Sequence, residues 1–293
     1  MSRSRIPFSQ SWDRPPLLPP GGKPIIVQMV VNLELWRFDA ALPRSLLPAP
    51  HGEPRIPDVP NYSWVEYGLR SGLPRILRLF DSLGVPASAS VNALLFQEEP
   101  AIGERVVEAG WEMVGHGTEQ RALAAGTERE TVRDTLDMLE EFSGSRPRGW
   151  LGPGLQETFD TPDVLAEAGL DYVLDWAVDD LPAWMDSRHG PLLAVPYNLE
   201  INDSLLFGVE GHPSREFAVR VEDTLKTYEQ EAGSAPRILT LGLHPHLIGI
   251  PHRFVYLRQV LEDLSARTDT VFMTGSAITD WYREEAPPER SSP

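Results

Sequence analysis

Apolar runs and amphipathic stretches take turns along most of this chain. Ile25 to Val31 is nearly continuous in isoleucine, valine and methionine, the pattern of a strand covered on both faces. It runs into Asn32-Leu33-Glu34-Leu35-Trp36, and strand alternation puts Asn32 and Glu34 on one side. Two polar groups facing inward there are costly unless they are paired or used. Shorter apolar strands are predicted over 85–91, 111–114, 148–151, 172–174, 192–195, 238–243 and 271–273. Helical spacing fills the intervals: 74–83 stopped by Gly84, 101–110, 127–142, a short helix from Thr161-Pro162, 216–230, 254–266 and 276–282. Thr127 and Glu130 have the spacing of a capping box.

Strand and helix alternate about seven times, which predicts a parallel sheet with helical crossovers. Polar residues recur where strands end: Asn32, Glu34, Asn92, His116, Asp175, Glu200 and His244. A closed barrel would gather these ends on one face, whereas an open doubly wound sheet would place its site at a single switch point. The segment 37–63 holds six prolines and little periodicity, so it reads as a semi-rigid loop over the cleft mouth or against a neighbouring subunit. Residues 1–23 read as a flexible arm, 24–283 as one catalytic domain and 284–293 as a flexible tail.

Composition narrows the chemistry. The 293 residues include no cysteine, which excludes thiolate catalysis and Cys-ligated zinc. A formal net charge of -17 without a basic run argues against nucleic acid as a partner. No apolar run approaches the roughly 20 residues of a membrane helix, and Met1 to Pro24 lacks the apolar core of a secretory signal, so a cytoplasmic protein is expected. There is no Gly-x-Gly-x-x-Gly, P-loop or Gly-x-Ser-x-Gly elbow.

His116 lies between Gly115 and Gly117 at the end of a strand, four residues before Gln120. On a following helical turn the two side chains would share a face, as half of a metal or acid–base site. His244 ends another strand, and His246 or His252 is expected to line the same cleft. His51, His189 and His212 sit in loops and read as solvated. Trp111 reads as core, while Trp150 and Trp176 stand near strand ends where they could meet a ligand.

Taken together, Asn32-Leu-Glu34, Gly115-His-Gly, Arg146-Pro-Arg-Gly-Trp-Leu-Gly-Pro-Gly154, Asp175-Trp176, Pro196-Tyr-x-x-Glu-x-Asn-Asp203, Leu243-His-Pro-His and Thr274-Gly-x-x-Ile-x-Asp-Trp281 resemble the polysaccharide deacetylase superfamily. More narrowly they resemble its allantoinase-like branch, which includes cyclic imide hydrolases. The resemblance covers about residues 25–283 and implies a distorted (β/α) barrel, commonly of seven strands, often in a homo-oligomer. It also implies where the chain departs from the deacetylases. Their base and metal-ligand aspartates on the first strand correspond here to Asn32 and Glu34. Their metal histidine pair corresponds to His116 and Gln120, and the arginine that orients the base corresponds to Leu151.

The expected function is an amidohydrolase that opens a small cyclic imide or ureide by water attack on a ring carbonyl. His244 would protonate the departing nitrogen or stabilise the oxyanion. Glu34 would activate water directly or hold a metal that does so, and His116 would polarise the carbonyl or serve as a ligand. A divalent metal on Glu34, His116 and Gln120, zinc first, is one expectation, and no metal is the alternative. Glu200, Asn202 and Asp203 would bond the ring edges, and Trp150, Pro153, Asp175, Trp176 and His246 are expected as further substrate contacts. The other readings are a deacetylase of an N-acetylated sugar or other small amide, with an open aromatic-lined groove, and a non-catalytic binding protein on this scaffold.

Overall fold

The structure, a computed structural model, describes residues 5–45, 47–48, 53–233 and 235–288. Among the described residues nine strands form one curled sheet: β1 (Ile25–Leu33), β2 (Ser88–Val91), β3 (Glu112–Gly115), β4 (Gly149–Trp150), β5 (Tyr172–Val173), β6 (Ala183–Met185), β7 (Leu192–Ala194), β8 (Arg237–Leu243) and β9 (Thr270–Phe272). Their order is β6-β7-β5-β4-β3-β2-β1-β8, with β9 beside the start of β1. Every pairing is parallel except the short β6–β7 hairpin. The fold is a curled α/β half-barrel of the expected kind. It has more strand segments than seven because β6 adds an antiparallel edge and β9 shares β1 with β8.

Between β7 and β8 the curl is joined by side chains as well as backbone. Thr240 N–H donates to Asn198 Oδ1 at 2.7 Å, Thr240 Oγ1 donates to the Pro196 carbonyl at 2.6 Å, and Ile238 N–H reaches the Asp180 carbonyl at 3.0 Å. That seam carries the segment after β7 across the interior.

Strand alternation sorts the side chains into two layers. On β1, Ile25, Val27, Met29, Val31 and Leu33 pack outward with Leu239, Leu241 and Leu243 of β8 against the helices Leu73–Leu83, Glu216–Glu231 and Pro251–Ala266. Ile26 and Val30 face inward with Val114, Leu151, Tyr172, Leu193, Val195 and Ile238. Gln28 and Asn32 share this inner side, as the alternation predicts. The inner layer is met at the strand starts by the helix Gly275–Glu285, where Ser276 N–H donates to Glu112 Oε1 at 3.0 Å. The ends of the strands stay open to the opposite side.

Three local expectations give way. The capping box is not formed: Thr127 Oγ1 donates to the Ala124 carbonyl at 3.4 Å rather than accepting from the helix. The proline-rich stretch ends in a helix, Val59–Tyr67, capped by Asp58, whose carboxylate accepts Asn61 N–H at 3.3 Å. Residues 46 and 49–52 of that stretch, His51 among them, lie outside the described residues, as do 1–4 of the N-terminal arm and 289–293 of the tail. The described N-terminal residues run along the barrel: Arg5 is bidentate to Asp163 at 2.8 and 2.7 Å, and Trp281 Nε1 donates to the Leu18 carbonyl at 2.9 Å.

The helix Val59–Tyr67 widens at Gly68–Gly72 before continuing as Leu73–Leu83, and this turn lies directly on the loop His244–His246. A Cβ on Gly72 would overlap the Pro245 carbonyl oxygen, and one on Gly68 would overlap the backbone of His246. Gly72 has an ordinary helical backbone (φ -68), so glycine is needed here for the close approach alone. Gly72→Ala is expected to push that loop away and cost about 1–3 kcal/mol of stability, the usual penalty for overpacking. A lowered urea midpoint at unchanged slope checks this, and a midpoint equal to wild type would show that the loop yields freely.

Candidate active site

Glu34, His116 and His244 converge at the open ends of β1, β3 and β8, and all three are buried. They line one cavity of about 700 Å³ together with Asn32, Gln120, Tyr197 and His246. Glu34 Oε1 lies 3.5 Å from His244 Nε2 and 3.9 Å from His116 Nε2. Its other oxygen accepts Trp36 Nε1–H at 2.7 Å.

The hydrogen-bond partners define the proton on each ring. His116 Nδ1 is 2.5 Å from the Leu151 carbonyl, which can only accept, so Nδ1 carries the hydrogen. In the neutral ring Nε2 is then a bare lone pair, and it is buried with no hydrogen-bond partner among the described residues. His116 therefore cannot donate to a substrate carbonyl in this form. In that form the free nitrogen can accept a hydrogen bond or a proton and cannot donate one. Gly117 follows with φ +73, a left-handed backbone that leads into residues 119–122 of the cavity lining.

His244 is held differently. Its Nδ1 is 2.6 Å from Asp203 Oδ1, and its backbone N–H donates to Asp203 Oδ2 at 2.7 Å. Burial alone would lower its pKa, but the Asp203 and Glu34 carboxylates outweigh that and push it up to about 10. The ring is an imidazolium at neutral pH, with an Nε2–H directed toward Glu34. Burial by itself would raise the Glu34 carboxyl; the positive His244 ring beside it works against this, and the carboxyl is held well below the usual carboxylate range. His246 is pushed down to about 3 by burial and by the positive His244 beside it, so it stays neutral.

Gln120 is fixed by a relay of amides. Leu35 N–H donates to Asn92 Oδ1 at 2.8 Å, which leaves Asn92 Nδ2 to donate to Gln120 Oε1 at 3.3 Å. Gln120 Nε2 then donates to Glu34 Oε1 at 2.9 Å. Gln120 reaches this position from a bend rather than from the helical turn its spacing suggests, with its N–H on the Leu35 carbonyl at 3.2 Å. The donor set Glu34–His116–Gln120 therefore does not fit a metal. Gln120 presents hydrogens to Glu34, and among the described residues no three His, Asp or Glu side chains form a metal-binding group.

The other expected contacts divide. Pro153, Asn202 and His246 line the cavity. Asp203 lies behind His244 and orients it rather than meeting a ligand. Trp150, Asp175, Trp176 and Glu200 do not line the cavity. Directly after β4 Leu151 faces inward, so its neighbour Trp150 packs outward with Val164, Leu165 and Val173. Trp176 Nε1 donates to Glu157 at 2.9 Å, and Glu200 is exposed. Asp175 accepts Gly152 N–H at 2.7 Å; with no arginine at position 151, burial and the neighbouring Glu157 push its carboxyl well up. His252 is exposed. Trp36 and Tyr197, which the polar pattern does not single out, both stand in the lining.

Residues 61–173 match the family model for polysaccharide deacetylase. That stretch is similar to a polysaccharide deacetylase domain. It is 27% identical to a protein of Schizosaccharomyces pombe assigned as a polysaccharide deacetylase, over 92% of this chain and 93% of that one. The crystal structure of Puue allantoinase superposes with a TM-score of 0.82 at 27% identity, covering 94% of this chain and 96% of the other. A structure assigned as a polysaccharide deacetylase from Pseudomonas aeruginosa PAO1 does so with a TM-score of 0.82 at 26% identity, covering 94% and 97%.

The imidazolium predicts a pH dependence. A group whose folded pKa is raised adds stability that is full below its unfolded value, near 6.5, and is lost as pH rises through about 10. Urea midpoints are expected to fall across that window in wild type and to lose that slope in His244→Gln. Equal slopes in the two proteins would show that His244 is not charged between the two carboxylates.

Proposed function

We propose that this protein is an amidohydrolase that opens a small cyclic imide or ureide. The observation that carries the reading is a bare imidazole lone pair and an imidazolium N–H beside the same oxygen of one buried carboxylate. Two atoms 3.9 Å apart, Glu34 Oε1 and His116 Nε2, can share one water at about 2.8 Å from each. Glu34 is too weak a base to take a proton from it, because its neighbours stabilise the ionised form. His116 Nε2 takes that proton as the water oxygen attacks the ring carbonyl, and Glu34 stabilises the imidazolium that results. His244 Nε2–H then protonates the departing nitrogen. An imide nitrogen needs only a weak acid there, because its second carbonyl spreads the negative charge.

The cavity supports a small substrate. Its volume is in the range of small-molecule sites. Leu35, Trp36, Arg37, Ala40, Ala41, Pro43 and Arg44 form one wall of it, so the proline-rich segment borders the site as expected. Trp36 and Tyr197 are its aromatic lining apart from histidines, which does not suit a groove that stacks a sugar chain. The second reading, a deacetylase of an N-acetylated sugar or other small amide, is supported by the family-model match over residues 61–173.

The deciding experiment is a side-by-side rate comparison on succinimide, hydantoin, allantoin and N-acetylglucosamine oligomers. Preference for the cyclic compounds is expected, and faster deacetylation of the oligomers would replace the first reading with the second. His116→Ala should lower kcat on the preferred substrate by about 10²–10⁴-fold. A change below about threefold would remove His116 from the proton transfers.

A further inference from the structure

Among the described residues, the hydroxyl hydrogen of Tyr197 has no acceptor. Its ring follows Leu193 and Val195 on the inward side of the segment after β7 and is buried. Two side-chain amides donate to its oxygen, Asn32 Nδ2 at 2.9 Å and Asn202 Nδ2 at 3.0 Å. Neither amide can turn over. Asn32 Nδ2 also donates to the Leu243 carbonyl at 3.2 Å, and Asn202 Oδ1 accepts Ser204 N–H at 2.8 Å. The phenol oxygen therefore accepts twice, and among the described residues its hydrogen meets no acceptor. The direction left to it is the cavity, whose lining includes Tyr197 together with Asn32, Leu151 and His244. Burial raises the phenol pKa, so the hydrogen stays in place at neutral pH. The neighbouring strand accommodates this hydroxyl: a Cβ on Gly242 would stand 2.5 Å from it.

We propose that Tyr197 is a catalytic residue whose O–H is preset to hydrogen-bond the carbonyl oxygen of the bound amide and the oxyanion formed from it. The proposal rests on the amide-hydrolysis reading of the site. As the water oxygen bonds to the carbonyl carbon, the C=O π electrons move onto that oxygen, which Tyr197 holds without giving up its proton. The water proton passes to His116 Nε2. When the C–N bond breaks, its electron pair leaves with the nitrogen, which takes the His244 proton. Two N–H donors on the phenol oxygen polarise its O–H and strengthen it as a donor. His244 is thereby left free for the leaving group. Asn32 gains a role as well: where the resembling deacetylases place a base, this chain places a side chain that aims the phenol, as a positioning residue.

Tyr197→Phe keeps the ring and removes the donor. On succinimide and hydantoin, kcat is expected to fall by about 10²–10³-fold, with KM changed by less than about threefold. A kcat within about threefold of wild type, or a loss carried by KM, would overturn the proposal. Because the variant also leaves two amides without their acceptor, a second series replaces Tyr197 by fluorinated tyrosines of rising acidity. Rates should climb with acidity while the phenol stays protonated, and a flat series would mean a structural role only. Wild-type protein inert toward both probes would overturn the hydrolase reading instead. An activity-free arm then still decides the hydroxyl: crystal structures of wild type and Tyr197→Phe should show a cavity water on the Tyr197 oxygen, lost in the variant with Asn32 and Asn202 unmoved. A hydroxyl turned onto a protein acceptor would end the proposal in either case.

Discussion

A carboxylate removed from water must have its charge answered by the protein around it, and in this molecule that carboxylate is Glu34. One oxygen takes the Trp36 indole hydrogen and the other takes the Gln120 amide, with the His244 imidazolium close by. The rest of the site follows from that requirement. His244 can be positive only because Asp203 stands behind it, and Gln120 can present hydrogens only because Asn92 holds its oxygen. His246, pressed against the same positive ring, stays neutral. Removal of His244 would leave two buried carboxylates uncompensated, so its contribution to folding and its contribution to chemistry are not separable by a simple truncation.

The sequence made the frame of this site readable. A nearly unbroken apolar run that ends in Asn32 and Glu34 is a strong statement about a buried strand with polar groups turned inward. His116 and His244 were readable for the same reason, since each follows a strand too apolar to sit anywhere but the core. What could not be read were facts that depend on a single step of register or on partners far away in sequence. Trp150 and Leu151 are adjacent, and only the pairing of β4 with β3 and β5 decides which of them looks into the barrel. The tautomer of His116 is set by a carbonyl 35 residues away, and the charge of His244 by a carboxylate 41 residues away. Tyr197 sits inside a recognisable motif, yet its hydroxyl acquires meaning only when amides from β1 and from residue 202 meet on it.

Local chemistry also lost to tertiary context at Thr127, whose hydroxyl turned to a nearer carbonyl, and at Gln120, whose spacing from His116 suggested a helix that is absent. The half-buried pair Asp175 and Glu157 shows the same principle in electrostatic form. Two carboxyl groups share a dry space beside the Gly152 turn, and burial pushes both toward the protonated form. An arginine at position 151 would have answered them with a full positive charge. A leucine there leaves the proton itself as the counter-charge, and the floor of the cavity loses a cation.

The two-layer division of β1 constrains how such a protein can change over time. Its inner and outer faces are separated by one residue, so loss or gain of a single residue within the strand would bring Leu33 into the cavity and turn Asn32 outward among the helices. Lineages of this fold are therefore free to lengthen the segments that leave the strands, as the proline-rich stretch after Trp36 illustrates, while the strand that supplies Asn32 and Glu34 can be shortened or extended only by pairs. New specificities in this architecture should arise by exchanging loops around an inner face whose length is held fixed by parity.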